Sequence, residues 1–141
     1  MAFNVLIVDD SSSMRTIIKK TLEMSGFDIG HISEAGNGRE ALEVLDREWA
    51  DVILTDVHMP EMDGFAFLKA LNHQDIVSDT PVVVVTTEGR EERIEELISL
   101  GAKACISKPF RPEEIKNTLL DVLGLHEDPL EEKGDLDGCD F

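Results

Sequence analysis

Val5-Leu6-Ile7-Val8-Asp9-Asp10 is an unbroken apolar run of mostly β-branched residues that stops on two acids. Runs of this kind suit strands buried on both faces, as in parallel sheets. Two more apolar runs follow, Val52–Leu54 before Thr55-Asp56 and Val82–Val85 before Thr86-Thr87. Ala104–Ser107 reads as a fifth strand ahead of Lys108-Pro109, and Ile29–Glu34 as the second and least regular one.

Amphipathic stretches at helical spacing separate these runs. Met14, Ile17, Ile18 and Leu22 share one face, as do Ala41, Leu42 and Leu45. Phe65, Leu68 and Leu71 recur every three residues; Ile94, Leu97 and Ile98 form a fourth set, and Ile115, Leu119, Val122 and Leu123 a fifth. Gly26 and Gly101 fall where helices stop, Asp63 where one is capped, and Pro112 at a first turn, while Pro81 opens a strand. Ser11–Ser13 suit helix capping. Strand-then-helix units repeated five times predict an α/β fold, a doubly wound parallel sheet with right-handed crossovers. An eight-fold barrel needs roughly 250 residues, against 141 here. Periodicity does not give the strand order.

Length and composition bound the rest. The chain of 141 residues suits one domain, and its 42% hydrophobic content is that of a globular protein. No apolar run approaches the roughly 20 residues of a membrane span, and Met1–Ser13 lacks a basic leader, so a cytoplasmic location without membrane insertion is expected. Cys105 and Cys139 have no metal or redox spacing and read as free thiols, and the four histidines are scattered. A formal net charge of −17 opposes binding to nucleic-acid phosphates. Residues 125–141 hold seven acids against one lysine, so the expected organisation is a domain over 1–124 and an acidic, mobile tail over 125–141. That tail is too short for a DNA-binding helix-turn-helix.

Ligands of open α/β sheets bind outside the carboxyl ends of the strands. Those ends here carry Asp9 and Asp10, Asp56, Thr86 and Lys108. Taken singly, an acid pair after a strand is usually a cap, a threonine a good strand residue and a lysine before proline a solvated loop residue. His58 alone reads as a surface side chain, and Met59 and Met62 as packing. Together the strand ends form a set. Neighbouring carboxylates repel one another, and a divalent cation removes the repulsion. An all-oxygen donor set favours Mg²⁺, with Mn²⁺ possible. A carboxylate beside the ion can attack phosphorus and form an acyl phosphate, with Lys108 and the Thr86 hydroxyl serving the anionic oxygens.

Four stretches, VLIVDDSSSMR (5–15), LTDVHMPEMDG (54–64), VVVVTTEG (82–89) and ISKPF (106–110), resemble the receiver domains of two-component response regulators. The likeness covers residues 3–124 and is strongest to the stand-alone, CheY-like members. It implies a flavodoxin-like three-layer sandwich with strand order 2-1-3-4-5. It further implies that Asp56 is the phosphoacceptor, that Asp9, Asp10 (a direct ligand), Asp56 and the backbone carbonyl of His58 hold Mg²⁺, and that Lys108 pairs with the phosphoryl group or, before phosphorylation, with Asp56. Thr86 would move toward the phosphoryl oxygen, and the Lys108–Pro109 peptide would be cis. The implied function is a phosphorylation-activated switch in chemotaxis, not a conventional enzyme but one that assists its own Mg²⁺-dependent phosphorylation and dephosphorylation. A histidine kinase would be the donor, and a protein target would dock on the fourth helix, fifth strand and fifth helix.

Two positions depart from the family pattern. Cys105 stands where an aromatic residue usually relays the switch, which leaves the threonine's motion to act through the following loop or the fourth helix. His58 replaces a frequent asparagine near the phosphoryl group. Other readings are a phosphate shuttle in a multi-step relay, a metal-dependent aspartyl phosphohydrolase and a phosphorylation-independent interaction module. The phosphohydrolase pattern places its second acid two residues after the nucleophile on the first strand and adds a cap domain. Adjacent Asp9-Asp10 in so short a chain do not match it.

Overall fold

The computed structural model describes residues 2–74 and 79–125. The expectations for the tail beyond Leu125, including Cys139, lie outside the described residues. Ten elements alternate along the chain: β1 (Phe3–Val8), α1 (Ser12–Ser25), β2 (Ile29–Ala35), α2 (Gly38–Arg47), β3 (Val52–Thr55), α3 (Gly64–His73), β4 (Val82–Thr86), α4 (Glu91–Ser99), β5 (Ala104–Ser107) and α5 (Pro112–Val122). The strands form one parallel sheet in the order β2-β1-β3-β4-β5.

Alternation of side chains along each strand divides the core in two. Leu6, Val8, Ile53, Val82 and Val84 pack with Ala41, Val44, Phe67, Leu68, Leu71 and Leu97 of α2, α3 and α4. Val5, Ile7, Val52, Leu54, Val83, Val85 and Ile106 pack with Ile18, Leu22, Ile115 and Leu119 of α1 and α5. Each large apolar side chain removed from water in this way contributes about 1.5–3 kcal/mol, which explains why the three inner strands read as plain apolar runs.

Helix starts are set by short polar side chains. Ser11 accepts from the Met14 N–H at 3.1 Å, Asn37 from Glu40 at 2.9 Å and Asp63 from Ala66 at 2.9 Å. Pro112 occupies the first turn of α5, where Glu114 accepts the Arg111 N–H at 3.1 Å. Gly26 (φ 81°) and Gly101 (φ 114°) supply the left-handed residues that end α1 and α4.

Some of the expected helix faces differ. Ile17 is 51% exposed, because a residue directly before Ile18 lies about 100° around the helix from the side that meets the sheet. Ile98 is likewise on the outside of α4, where Leu97 alone is buried. In α2, Val44 is buried with Ala41, while Leu42 and Leu45 pack only partly against the core. Phe67 is fully buried as well as Phe65, Leu68 and Leu71, since α3 is covered by the sheet and by the start of α2.

The chain leaves β1 outward to β2 and later returns to β3 on the other side of β1. The loops after β1 and β3 therefore diverge between these strands, opening a crevice at their carboxyl ends.

Candidate functional site

Asp9 directly follows β1, and Asp56 directly follows β3. The ladder positions them: the Asp9 N–H donates to the Ala35 carbonyl at 3.0 Å, and the Asp56 N–H donates to that of Val8 at 2.9 Å. One carboxylate oxygen from each of Asp9, Asp10 and Asp56 lies within 4.8 Å of the others. The three environments differ: Asp9 is 2% exposed, Asp56 partly buried and Asp10 open to solvent.

Lys108 reaches the same point from the end of β5. Its Nζ stands 3.1 Å from Asp9 Oδ2 and 3.5 Å from Asp56 Oδ2. Sequence reading pairs Lys108 with Asp56. In the structure the ammonium bridges both acids, and the tighter contact is to Asp9. The Ser11 N–H donates to Asp9 Oδ1 at 2.9 Å, so both oxygens of Asp9 are engaged. The Val57 N–H donates to Asp56 Oδ1 at 2.7 Å, which fixes the rotation of that carboxylate. The Lys108–Pro109 peptide is cis.

Gly64 is required by close approach. A Cβ there would lie 2.8 Å from the Asp56 carbonyl oxygen and 2.8 Å from Val57 Cα. Its N–H donates to the Val57 carbonyl at 2.8 Å, so the first turn of α3 rests on the segment that carries Asp56.

Thr86 is buried at the end of β4, beside Ser107 of β5. Its carbonyl accepts the Lys108 N–H at 3.0 Å, and its hydroxyl oxygen accepts the Glu88 N–H at 3.2 Å. Accepting that bond leaves the hydroxyl proton available for donation.

Sequence reading missed the surroundings of Glu88. Its carboxylate is almost wholly buried and takes the Arg90 Nε at 3.0 Å and Nη2 at 3.1 Å, along with the Arg90 N–H at 3.0 Å. These bonds hold its carboxyl down at about 2. His58, mostly exposed as expected, places Nε2 at 3.7 Å from the same carboxylate. Nothing in residue spacing announces this link between the loops after β3 and β4. The burial of Glu88 that makes the link matter is visible only in the structure.

Cys105 lies half-buried against the core that packs under α2, α3 and α4. Loss of water around it pushes its thiol up. No aromatic ring occupies this position to turn in or out.

An all-oxygen cluster of this kind fits Mg²⁺ chemically. Two oxygens on one Mg²⁺ are at most about 4.2 Å apart, so a small closure of the cluster brings it within range. Asp9, Asp10 and Asp56 are the residues present that would offer such a donor set.

Comparison with known proteins agrees with the fold. The response regulator receiver domain family matches residues 5–120, and the chain belongs to that family. Within it the chain is similar to CheY-type proteins. The chemotaxis protein CheY homolog of Campylobacter jejuni is 41% identical over 121 residues, covering 85% of this chain and 92% of the relative. Chemotaxis protein CheY1 of Helicobacter pylori is 39% identical over 125 residues, covering 87% and 98%. The solved structure of Vibrio cholerae CheY4 superposes with a TM-score of 0.76 at 39% identity, covering 86% of this chain and 99% of that one. The chain is thus a CheY-like receiver domain, a signalling module of two-component systems rather than a conventional enzyme. No helix among the described residues is long and apolar enough to cross a membrane.

Proposed function

We propose that this chain is a cytoplasmic, phosphorylation-activated switch that takes a phosphoryl group from a histidine kinase onto Asp56 and signals by protein contact in chemotaxis. The observation that carries the reading is the convergence of carboxylate oxygens of Asp9, Asp10 and Asp56 within 4.8 Å, with the Lys108 ammonium held against Asp9 and Asp56. Residues 1–124 form the receiver unit in this reading, and 125–141 an acidic extension.

The residues divide the work. A carboxylate oxygen of Asp56 attacks the phosphorus of a phosphohistidine; the new O–P bond forms as the P–N bond breaks, and the imidazole leaves with the electron pair. Asp9, Asp10, Asp56 and the His58 carbonyl would hold Mg²⁺, which when bound neutralises charge on the phosphoryl oxygens. Lys108, already between Asp9 and Asp56, is placed to follow the anionic oxygens as the Asp56 charge is consumed. Thr86 donates its free hydroxyl proton to another of them. Later attack by water at phosphorus breaks the Asp56 O–P bond and releases phosphate.

Phosphorylation shifts a pre-existing equilibrium toward the state that binds the target through α4, β5 and α5. Moving the balance from 1:99 to 99:1 needs about 5.5 kcal/mol of differential stabilisation. New contacts from Thr86 and Lys108 are the source. With Cys105 in place of a ring, motion of Thr86 passes to the Glu88 N–H that it holds, and so to the loop before α4.

Intact-mass measurement tests the assignment. In Mg²⁺ with acetyl phosphate, a single phosphoryl adduct forms, and Asp56→Asn abolishes it. An undiminished adduct in that variant overturns the reading.

A further inference from the structure

We propose that Arg15 is a positioning residue for the cation site, acting by fixing the peptide between Asp9 and Asp10. The inference rests on the reading of Asp9, Asp10 and Asp56 as the residues that hold the divalent ion. It adds a residue that takes no part in binding it.

Arg15 sits one turn into α1, and its Nη1 donates to the backbone carbonyl of Asp9. Asp9 is almost completely buried, so an unpaired carbonyl there would carry the full desolvation penalty. The guanidinium meets that need. It also does something that a structural tie elsewhere would not. The Asp9 carbonyl and the Asp10 N–H belong to one rigid plane, so pinning the carbonyl sets the direction in which Asp10 leaves the strand. Asp10 is the exposed member of the acid cluster, and among the described residues no hydrogen bond or ion pair holds its carboxylate. Its backbone is therefore where orientation can be supplied.

Arg15 is itself aimed. Its Nε donates to Glu34 Oε1 at 2.9 Å, and Lys19 Nζ donates to Glu34 Oε2 at 3.0 Å. The Arg15 side chain is 19% exposed, which leaves it little room to swing. A guanidinium suits the task because its planar fork serves two acceptors at fixed angles, which an ammonium does not. Glu34 also answers a second difficulty. A bare cation beside a cation site would compete with the ion, and the Glu34 carboxylate offsets part of the field that Arg15 and Lys19 create together. Hydrogen bonds from Lys19 and Arg15 hold the Glu34 carboxyl below the usual glutamate range, so it stays ionised at neutral pH.

The test is Mn²⁺ binding by the full chain, read from the electron paramagnetic resonance signal of the free ion. Working at about 1 M salt, where the Debye length is about 3 Å, suppresses simple field effects. Altered partners of metal ligands cost about 10–100-fold in affinity, so Arg15→Met raises the dissociation constant about tenfold or more. Arg15→Lys falls between it and wild type, and Glu34→Gln, which releases the guanidinium, weakens binding several-fold. Melting in EDTA reports the purely structural part, which does not alter affinity well below the transition. A dissociation constant for Arg15→Met within about twofold of wild type, while Asp10→Asn loses binding, overturns the inference. If Arg15→Met does not fold, Glu34→Gln decides, and unchanged affinity there overturns it. Wild-type affinity in Asp10→Asn refutes the cation site itself and the inference with it.

Discussion

Gly64→Ala is expected to damage the site through the backbone of Asp56. Alanine is the better helix former, so propensity alone predicts a gain of up to about 1 kcal/mol at the start of α3. Against this, the new Cβ would lie 2.8 Å from the Asp56 carbonyl oxygen and 2.8 Å from Val57 Cα. Both are backbone atoms and cannot rotate aside as a side chain would. Overpacking of this sort costs about 1–3 kcal/mol, and contacts with backbone place it at the upper end. The net effect is a loss of about 1–2 kcal/mol, with the segment from Asp56 to Val57 displaced to relieve the clash. Gly89→Ala is the matched control, since a Cβ there meets nothing within 4 Å. Urea titration measures both: Gly64→Ala lowers the midpoint with an unchanged slope, and Gly89→Ala leaves it level or slightly raised. Mn²⁺ affinity should fall in Gly64→Ala alone. A Gly64→Ala protein as stable as wild type, with undiminished metal affinity, would refute the argument that this glycine is set by the Asp56 backbone.

Glu34 gives a pH dependence of defined sign. Its folded carboxyl is depressed by Lys19 and then Arg15, so the stabilisation it provides is present above the unfolded glutamate value and lost as pH falls through the folded one. The stability difference between wild type and Glu34→Gln should therefore shrink as urea midpoints are measured from pH 6 down toward pH 3. A constant difference contradicts the ion pair. The Cys105 thiol, raised by desolvation, should alkylate with iodoacetamide at pH 8 more slowly in the folded chain than in urea, as mapped by peptide mass; equal rates would count against its burial. Trp49, 64% exposed and bonded through Nε1 to Asp51 at 2.9 Å, precedes β3 at the edge opposite the acid cluster. Its emission should not change on Mg²⁺ addition, and a saturable quench would mean that the ion reaches another place.

The inner strands were legible because burial on both faces leaves no polar position to interrupt the run. All four residues of β3 and all five of β4 are buried. β2 was harder to read for a physical reason. It is an edge strand with several exposed residues, and its register against β1 shifts between Phe3 and Val5, which breaks the two-residue alternation. Helix faces were legible to within one position: a run such as Ile17-Ile18 does not say which member meets the sheet, because both are equally apolar. In the site, the acids and Lys108 could be placed because strand ends converge by topology. The bonds that orient them could not. The Asp9 carbonyl held by Arg15, the Val57 N–H on Asp56 and the Glu88 N–H on Thr86 all use backbone atoms, which every residue type carries alike.

The charge balance of the cluster joins these pieces. Three carboxylates and one ammonium meet here, an excess of two negative charges that one divalent ion would neutralise. Arg15 and Lys19 share the single carboxylate of Glu34, at 2.9 and 3.0 Å, and their net positive charge lies beside the cluster rather than in it. Phosphorylation in the proposed reaction removes the charge of Asp56 and adds a phosphoryl group bearing about two negative charges at neutral pH, leaving the site more anionic by about one. That excess is shielded from water on one side, where Asp9 is 2% and Lys108 11% exposed at the side chain, and open to it only on the side of Asp10. It has to be met by donors already close by. Lys108 can turn from Asp9, whose Oδ1 still accepts the Ser11 N–H, and the Thr86 hydroxyl has a proton to give. In the proposed reaction, movement of Thr86 would then be the electrostatic consequence. Since the same hydroxyl holds the Glu88 N–H, the loop before α4 would receive that movement without any aromatic relay at Cys105.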